Sequence, residues 1–219
     1  MKKAFIGIIL LTAGLVAEPS LEEIQRIQIS DLKKISLWMN DKKTKPRFKV
    51  MILEKLNILL LDHPEEVTKH SDELLDLFSN VKKNNKDDGS SYNFLLRKKA
   101  CLFLSYFKGT EKEIESYERL QSTISTEDNG EVAATCIEVL SLYENKKEDT
   151  QKALIRMLDS SLKKKFVSDD DIEIANAIIE VLGKFKKKQS YLTLLKVLDS
   201  KYPTDIKNKA KKTLEGLPQ

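Results

Sequence analysis

The segment Ile137–Ser160 is written a second time at Ile179–Ser200, and this internal copy constrains the fold more than any other feature. Both copies open with Ile-Glu-Val-Leu, at Ile137–Leu140 and at Ile179–Leu182. They close with Met157-Leu158-Asp159-Ser160 and Val197-Leu198-Asp199-Ser200. The offset is 42 residues at the opening and 40 at the close, so one internal loop is two residues shorter than the other. Self-similarity at such a period marks stacked helical repeats, in which each short helix pair buries its apolar stripe only against its neighbours. A more diverged copy lies upstream, where Leu104-Ser105-Tyr106-Phe107 matches Leu140-Ser141-Leu142-Tyr143 at an offset of 36. The pattern predicts an all-α chain, an α-solenoid of stacked antiparallel helix pairs with about nine or ten helices.

The N-terminus carries a different signal. Met1-Lys2-Lys3 is a short basic stretch, and Ala4–Ala17 follows with fourteen uncharged residues. Ala17 is small and precedes polar Glu18-Pro19-Ser20. Residues 1–17 thus have the layout of a secretory signal peptide, too short for a comfortable membrane span. Leu15, three residues before the expected cut, is bulkier than that position prefers; inefficient cleavage would leave the segment as an anchor. No Cys follows the apolar run, which argues against lipidation. The expected location is outside the cytoplasm, periplasmic or associated with a bacterial envelope.

Residues 18–82 are read as the N-terminal helices. Ser20-Leu21-Glu22-Glu23 is a capping box, and Leu21, Ile24, Ile27, Leu32, Ile35 and Trp38 follow at helical spacing. A helix is expected from Pro46 to Leu61, and another after Asp62-His63-Pro64 carrying Val67, Leu74, Leu77, Phe78 and Val81. Residues 83–91, within a stretch that lacks any apolar side chain, are read as a flexible loop. Residues 92–219 hold the plainest repeats. Helices are expected over Tyr92–Phe107, Glu111–Ile124 with Ile114, Tyr117 and Leu120 on its apolar side, Glu131–Tyr143, Thr150–Leu162, Asp169–Phe185 and Ser190–Leu198. A closing helix over Thr204–Glu215 stops at Gly216 with Pro218 beyond.

From Ala177 onward the chain resembles a HEAT repeat. Ala177 and Leu182-Gly183 match the end of that family's first helix, and Leu192, Leu195 and Leu198-Asp199 match its Leu-rich second helix. Asp205-Ile206-Lys207-Asn208-Lys209-Ala210 matches the restart, with Ile206-Lys207 where the family usually shows Val-Arg. The match extends over 132–217 and is weak upstream. The resemblance implies an α-solenoid used for protein–protein contact, with no catalytic residues to carry over. Some HEAT-like solenoids are lyases acting on bound pigments, which is the one enzymatic reading the resemblance leaves.

Cys101 and Cys136 lie 35 residues apart. On stacked helices with axes about 8–10 Å apart, against a Cα limit of roughly 7 Å for a bridge, two separate buried thiols are favoured over a disulfide. Asp169-Asp170-Asp171 opens a helix where its dipole wants acids; three consecutive side chains splay apart, so no metal is expected there. His63 and His70 lack a zinc pattern. Ser105, Ser141 and Gly183 are equivalent small positions, explained by close helix packing. No phosphate loop or nucleophile elbow appears, so no catalytic residue, cofactor or metal is assigned.

The C-terminal lysines are the candidate site. From Ser160 to the end there are thirteen Lys against eight Asp and Glu. Lys163, Lys164 and Lys165, then Lys184, Lys186, Lys187 and Lys188, then Lys207 and Lys211 fall at successive turns. If repeats superimpose, the first two runs line one edge as a basic stripe. The whole-chain charge of +4 includes Lys2 and Lys3, so nucleic acid is not an expected partner. The sequence therefore reads as a non-catalytic, exported scaffold that holds another protein on its concave face. The alternative is a surface-binding module whose lysines meet an anionic membrane or an acidic polymer.

Overall fold

A computed structural model describes residues 17–84 and 91–218. Among these residues the chain is all-helical, with twelve α-helices, four short 3-10 turns and no strand. The expected signal peptide at 1–17 lies outside the described residues except for Ala17, and so does most of the expected loop at 83–91.

The N-terminal helices are more broken than the apolar spacing suggests. α1 (Leu21–Gln25) starts on the expected capping box, with the Ser20 hydroxyl accepting from the Glu23 N–H and the Glu23 carboxylate accepting from the Ser20 N–H. It ends after five residues, and a 3-10 turn at Ile29–Asp31 leads into α2 (Leu32–Asn40). The break lets Ile24, Ile27, Leu32 and Ile35 all reach the core from two directions. α3 (Pro46–Asp62) begins with proline in its first turn, where no N–H is missed. The next expected helix divides at His70 into α4 (Glu65–Lys69) and α5 (Ser71–Asn84), where His70 leaves helical geometry at ψ 30°.

The remaining elements follow the sequence closely. They are α6 (Ser91–Leu104), α7 (Glu113–Thr126), α8 (Gly130–Leu140), α9 (Lys147–Ser161), α10 (Asp169–Phe185), α11 (Tyr191–Leu198) and α12 (Thr204–Glu215). α10 and α12 have the bounds that the spacing predicts. In both Ile-Glu-Val-Leu segments the Ile, Val and Leu are buried, and α8 packs directly on α10.

Two rows of helices result. α3, α6, α8, α10 and α12 each pack on the next in that order, and α5, α7, α9 and α11 pack on α6, α8, α10 and α12 respectively. One apolar cluster runs from Ile24 to Leu217, so residues on both sides of the segment 85–90 share a single core. Phe78 of α5 stacks on Phe103 of α6 with ring centroids 4.4 Å apart, and Phe107 meets Phe78 edge-on.

Several polar contacts join helices that lie 33 to 43 residues apart in sequence. Tyr117 meets Thr150 at 33 residues, Gln151 donates to Ser190 at 39, and Lys196 reaches Asp159 at 37. Gly130 bonds Asp170 at 40, and Arg119 bonds Asp76 at 43. These separations bracket the period of the sequence copy.

Cys101 of α6 and Cys136 of α8 form a disulfide with Cα atoms 5.2 Å apart. The expectation of two separate thiols is corrected by helix geometry. Cα atoms sit about 2.3 Å from a helix axis, so facing Cα atoms can approach roughly 4–5 Å closer than axes 8–10 Å apart.

Candidate binding surface

The expected lysine stripe is not brought to one edge. Lys163, Lys164 and Lys165 follow α9 and precede the first turn of α10, whereas Lys186, Lys187 and Lys188 lie beyond its last turn. The 17 residues of α10 at about 1.5 Å each separate the two runs by roughly 25 Å. In a helix hairpin, successive turns alternate between opposite ends, and the two runs terminate different members of their pairs. Lys184 pairs with Glu180 at 3.2 Å, and Lys164 pairs with Asp171 at 2.5 Å. Lys207 and Lys211 lie along α12 rather than at a turn. Its Lys209 donates to Asn176 at 2.6 Å and to Glu180 at 3.2 Å.

The acids at the start of α10 have structural tasks. Asp171 completes a capping box with Ser168, and Asp170 accepts from the Gly130 N–H. Burial pushes the Asp171 pKa up, but the Lys164 ammonium and the Ser168 N–H and O–H outweigh it, leaving the carboxyl below its ordinary value. His63 and His70 each face a glutamate of α4, at 3.4 and 3.3 Å. Among the described residues no three His, Cys, Asp or Glu side chains gather as a metal site would need. Of the three small positions, Gly183 alone marks a close helix contact, against Thr213 of α12. Ser105 and Ser141 instead end helices, their hydroxyls donating to Leu102 and Glu138 carbonyls.

A groove lies between α7 and α9, with a volume of about 320 Å³. Ile114, Glu118 and Gln121 line it from α7, and Asp149, Lys152 and Arg156 line it from α9. Each trio recurs at three- and four-residue steps, which puts it on one face of its helix. Tyr117 forms the floor and Lys146 one end. The Tyr117 hydroxyl meets Thr150 at 3.1 Å and accepts from Gln121 at 3.1 Å. Burial raises its pKa, partly offset by the Thr150 contact. Lys146 stands 5.9 Å from the Tyr117 ring centroid, within cation–π range. Lys152 holds Glu148 at 2.7 Å and so lowers that carboxyl's pKa.

The groove is mainly polar, with Ile114 as its one aliphatic side chain, Tyr117 as its aromatic one, cations from α9, and Glu118 and Asp149 as counter-charges. Ile114 is 58% exposed, although helical spacing places it with core Tyr117 and Leu120. On neighbouring α11, Leu192 is 69% exposed and Leu195 and Tyr191 are also open, while Thr193, Leu194 and Val197 are buried. The resemblance assigns Leu192 and Leu195 to the second helix of a repeat; here they face solvent. α7 and α11 thus expose apolar side chains, while α9 between them exposes none of the large ones. The sequence held a usable signal for the groove, the i, i+4, i+7 run Ile114-Glu118-Gln121, but not which row faces outward. Comparisons with family models, with curated proteins and with solved structures give no match to this chain.

Proposed function

We propose that this protein is a non-catalytic, exported scaffold, a HEAT-like α-solenoid that binds a partner protein along its α7–α9–α11 row. The observation that carries the reading is that row itself. Exposed Ile114 lines a groove that also holds Tyr117, Lys146, Lys152 and Arg156, and α11 adds exposed Leu192 and Leu195 outside it. Apolar anchors beside a mixed-charge rim suit a protein segment with an apolar residue and an acidic neighbour. The sequential packing of the helices, with the Gln151–Ser190 and Gly130–Asp170 contacts close to the offset of the sequence copy, supports the solenoid. The leader-like N-terminus supports export, and so does a buried disulfide, since such bonds persist in oxidising compartments.

A photo-crosslinking residue at position 114 or 152, used in the native host, tests this. One discrete protein adduct is expected, and Arg156→Glu should abolish it. The interaction should survive about 0.3 M salt, because a packed interface is screened far less than a surface charge contact. Adducts no different from those at exposed Glu138, in the other row, would sink the reading.

A further inference from the structure

We propose that the turn between α9 and α10 is a contact site for anionic lipid headgroups, with Phe166 entering the headgroup layer. Phe166 is the most exposed large apolar side chain among the described residues, at 79%. It stands at the end of Lys163-Lys164-Lys165, on a turn that projects past the last residue of α9. The fold brings a fourth lysine there from 36 residues away, as the Lys201 ammonium donates to the Lys165 carbonyl at 2.9 Å. The adjoining turn is locked to the end of α9 by the Ser161–Tyr202 hydroxyl contact at 2.6 Å. The Lys165 ammonium lies 5.5 Å from the Phe166 ring centroid.

Not every charge there is available. Lys164 is paired with Asp171, while Asp170 accepts from the Gly130 N–H and keeps its charge. Among the described residues Lys163, Lys165 and Lys201 make no ion pair, and all three are exposed. Asp169, Asp170 and Asp199 are exposed acids on the flanking segments. The turn itself, residues 162–168, carries three lysines and no acid beside its protruding ring.

A protruding aromatic ring with an ammonium beside it, on a lysine-rich turn, offers no cleft with which to grip a partner side chain. An anionic bilayer needs none: its headgroups meet three ammoniums at once, and its interface accepts the ring. The groove between α7 and α9 is a separate place, so this contact does not depend on the protein-binding reading.

The test uses the full chain with Phe166→Trp, whose added indole reports depth at this one turn even where the apolar N-terminus itself meets lipid. Trp38, the chain's one tryptophan, is buried and gives a constant background. With vesicles of phosphatidylglycerol in phosphatidylcholine, the expected result is a blue shift and quenching by brominated acyl chains. Replacing Lys163, Lys165 and Lys201 together by Gln should weaken that response about a hundredfold, some fivefold per lysine. The pair Lys187→Gln and Lys188→Gln, at the other end of α10, should leave it within about twofold. Single Lys→Gln variants, checked by circular dichroism, keep the test decisive should the triple variant misfold. No emission change on anionic vesicles, or an equal change on neutral ones, overturns the proposal. So does an equal shift with polyglutamate, which would assign the turn to an acidic protein instead.

Discussion

The Gly130 N–H donates to the Asp170 carboxylate at 2.6 Å, and a Cβ on Gly130 would stand 2.6 Å from the Asp170 Cα. One contact thus caps α8 and sets how closely α10 approaches it. Gly130→Ala should force the helices apart and lose a charge-assisted bond, costing about 2–4 kcal/mol. Asp170→Asn keeps an acceptor and should cost only about 1 kcal/mol. Urea unfolding followed by circular dichroism measures both; a Gly130→Ala protein as stable as wild type would refute the close approach.

The disulfide closes a loop of 35 residues. The chain-entropy account gives about 3–4 kcal/mol for a loop of that size. Cys101→Ala with Cys136→Ala should lower the urea midpoint accordingly, and reductant should move wild type but not the double variant. Thiol titration of the native protein should find no free cysteine.

Tyr143 is fully buried, its hydroxyl donating to the Leu104 carbonyl at 2.6 Å and meeting Ser116 at 2.8 Å. Burial pushes its pKa up to about 12, against a smaller lowering by Ser116. A folded-state value above the unfolded one, near 10, means the folded chain holds this proton more tightly. Stability from Tyr143 is therefore full below about pH 10 and is lost as pH rises through about 12. Tyr143→Phe should cost roughly 1–2 kcal/mol near neutrality and flatten the alkaline limb of a stability–pH curve. An unchanged alkaline limb would count against this environment.

Asp171 gives the opposite sign. Its folded pKa lies below the ordinary value, so its contribution is present above the unfolded pKa and is lost as pH falls through the folded one. Ser168→Ala removes the cap and should cost about 1 kcal/mol, and Asp171→Asn should make acid unfolding less steep. Thermal melts between about pH 2 and 6, spanning the carboxylate range, read both effects.

Much of the architecture was legible as sequence. The copy at Ile137–Ser160 and Ile179–Ser200 identified helices that bury the same face, and the caps at Ser20 and Ser168 located their starts. The breaks at Arg26–Gln28 and His70 were not legible, because apolar spacing continues across them while the chain turns to serve a shared core. Ile114 departs in the same way: periodicity groups residues on a helix face but does not say whether a neighbour covers that face. The lysine runs looked like one stripe because turns were compared by sequence offset, and offset does not record which end of a helix a turn occupies.

What the sequence by itself determined is local: which segments are helical, where caps stop and start them, and that one segment is written twice at an offset of 40–42 residues. These follow from side-chain chemistry within a few residues. What only the tertiary structure decided is which distant residues meet. Cys101 reaches Cys136 because facing Cα atoms lie closer than their helix axes. Lys201 joins Lys165 because the turns after α9 and α11 share one end, while Lys186–Lys188 is carried to the other by the length of α10. Gly130 meets Asp170 because α8 packs directly on α10. Such meetings depend on how helices stack, which is a property of the whole core.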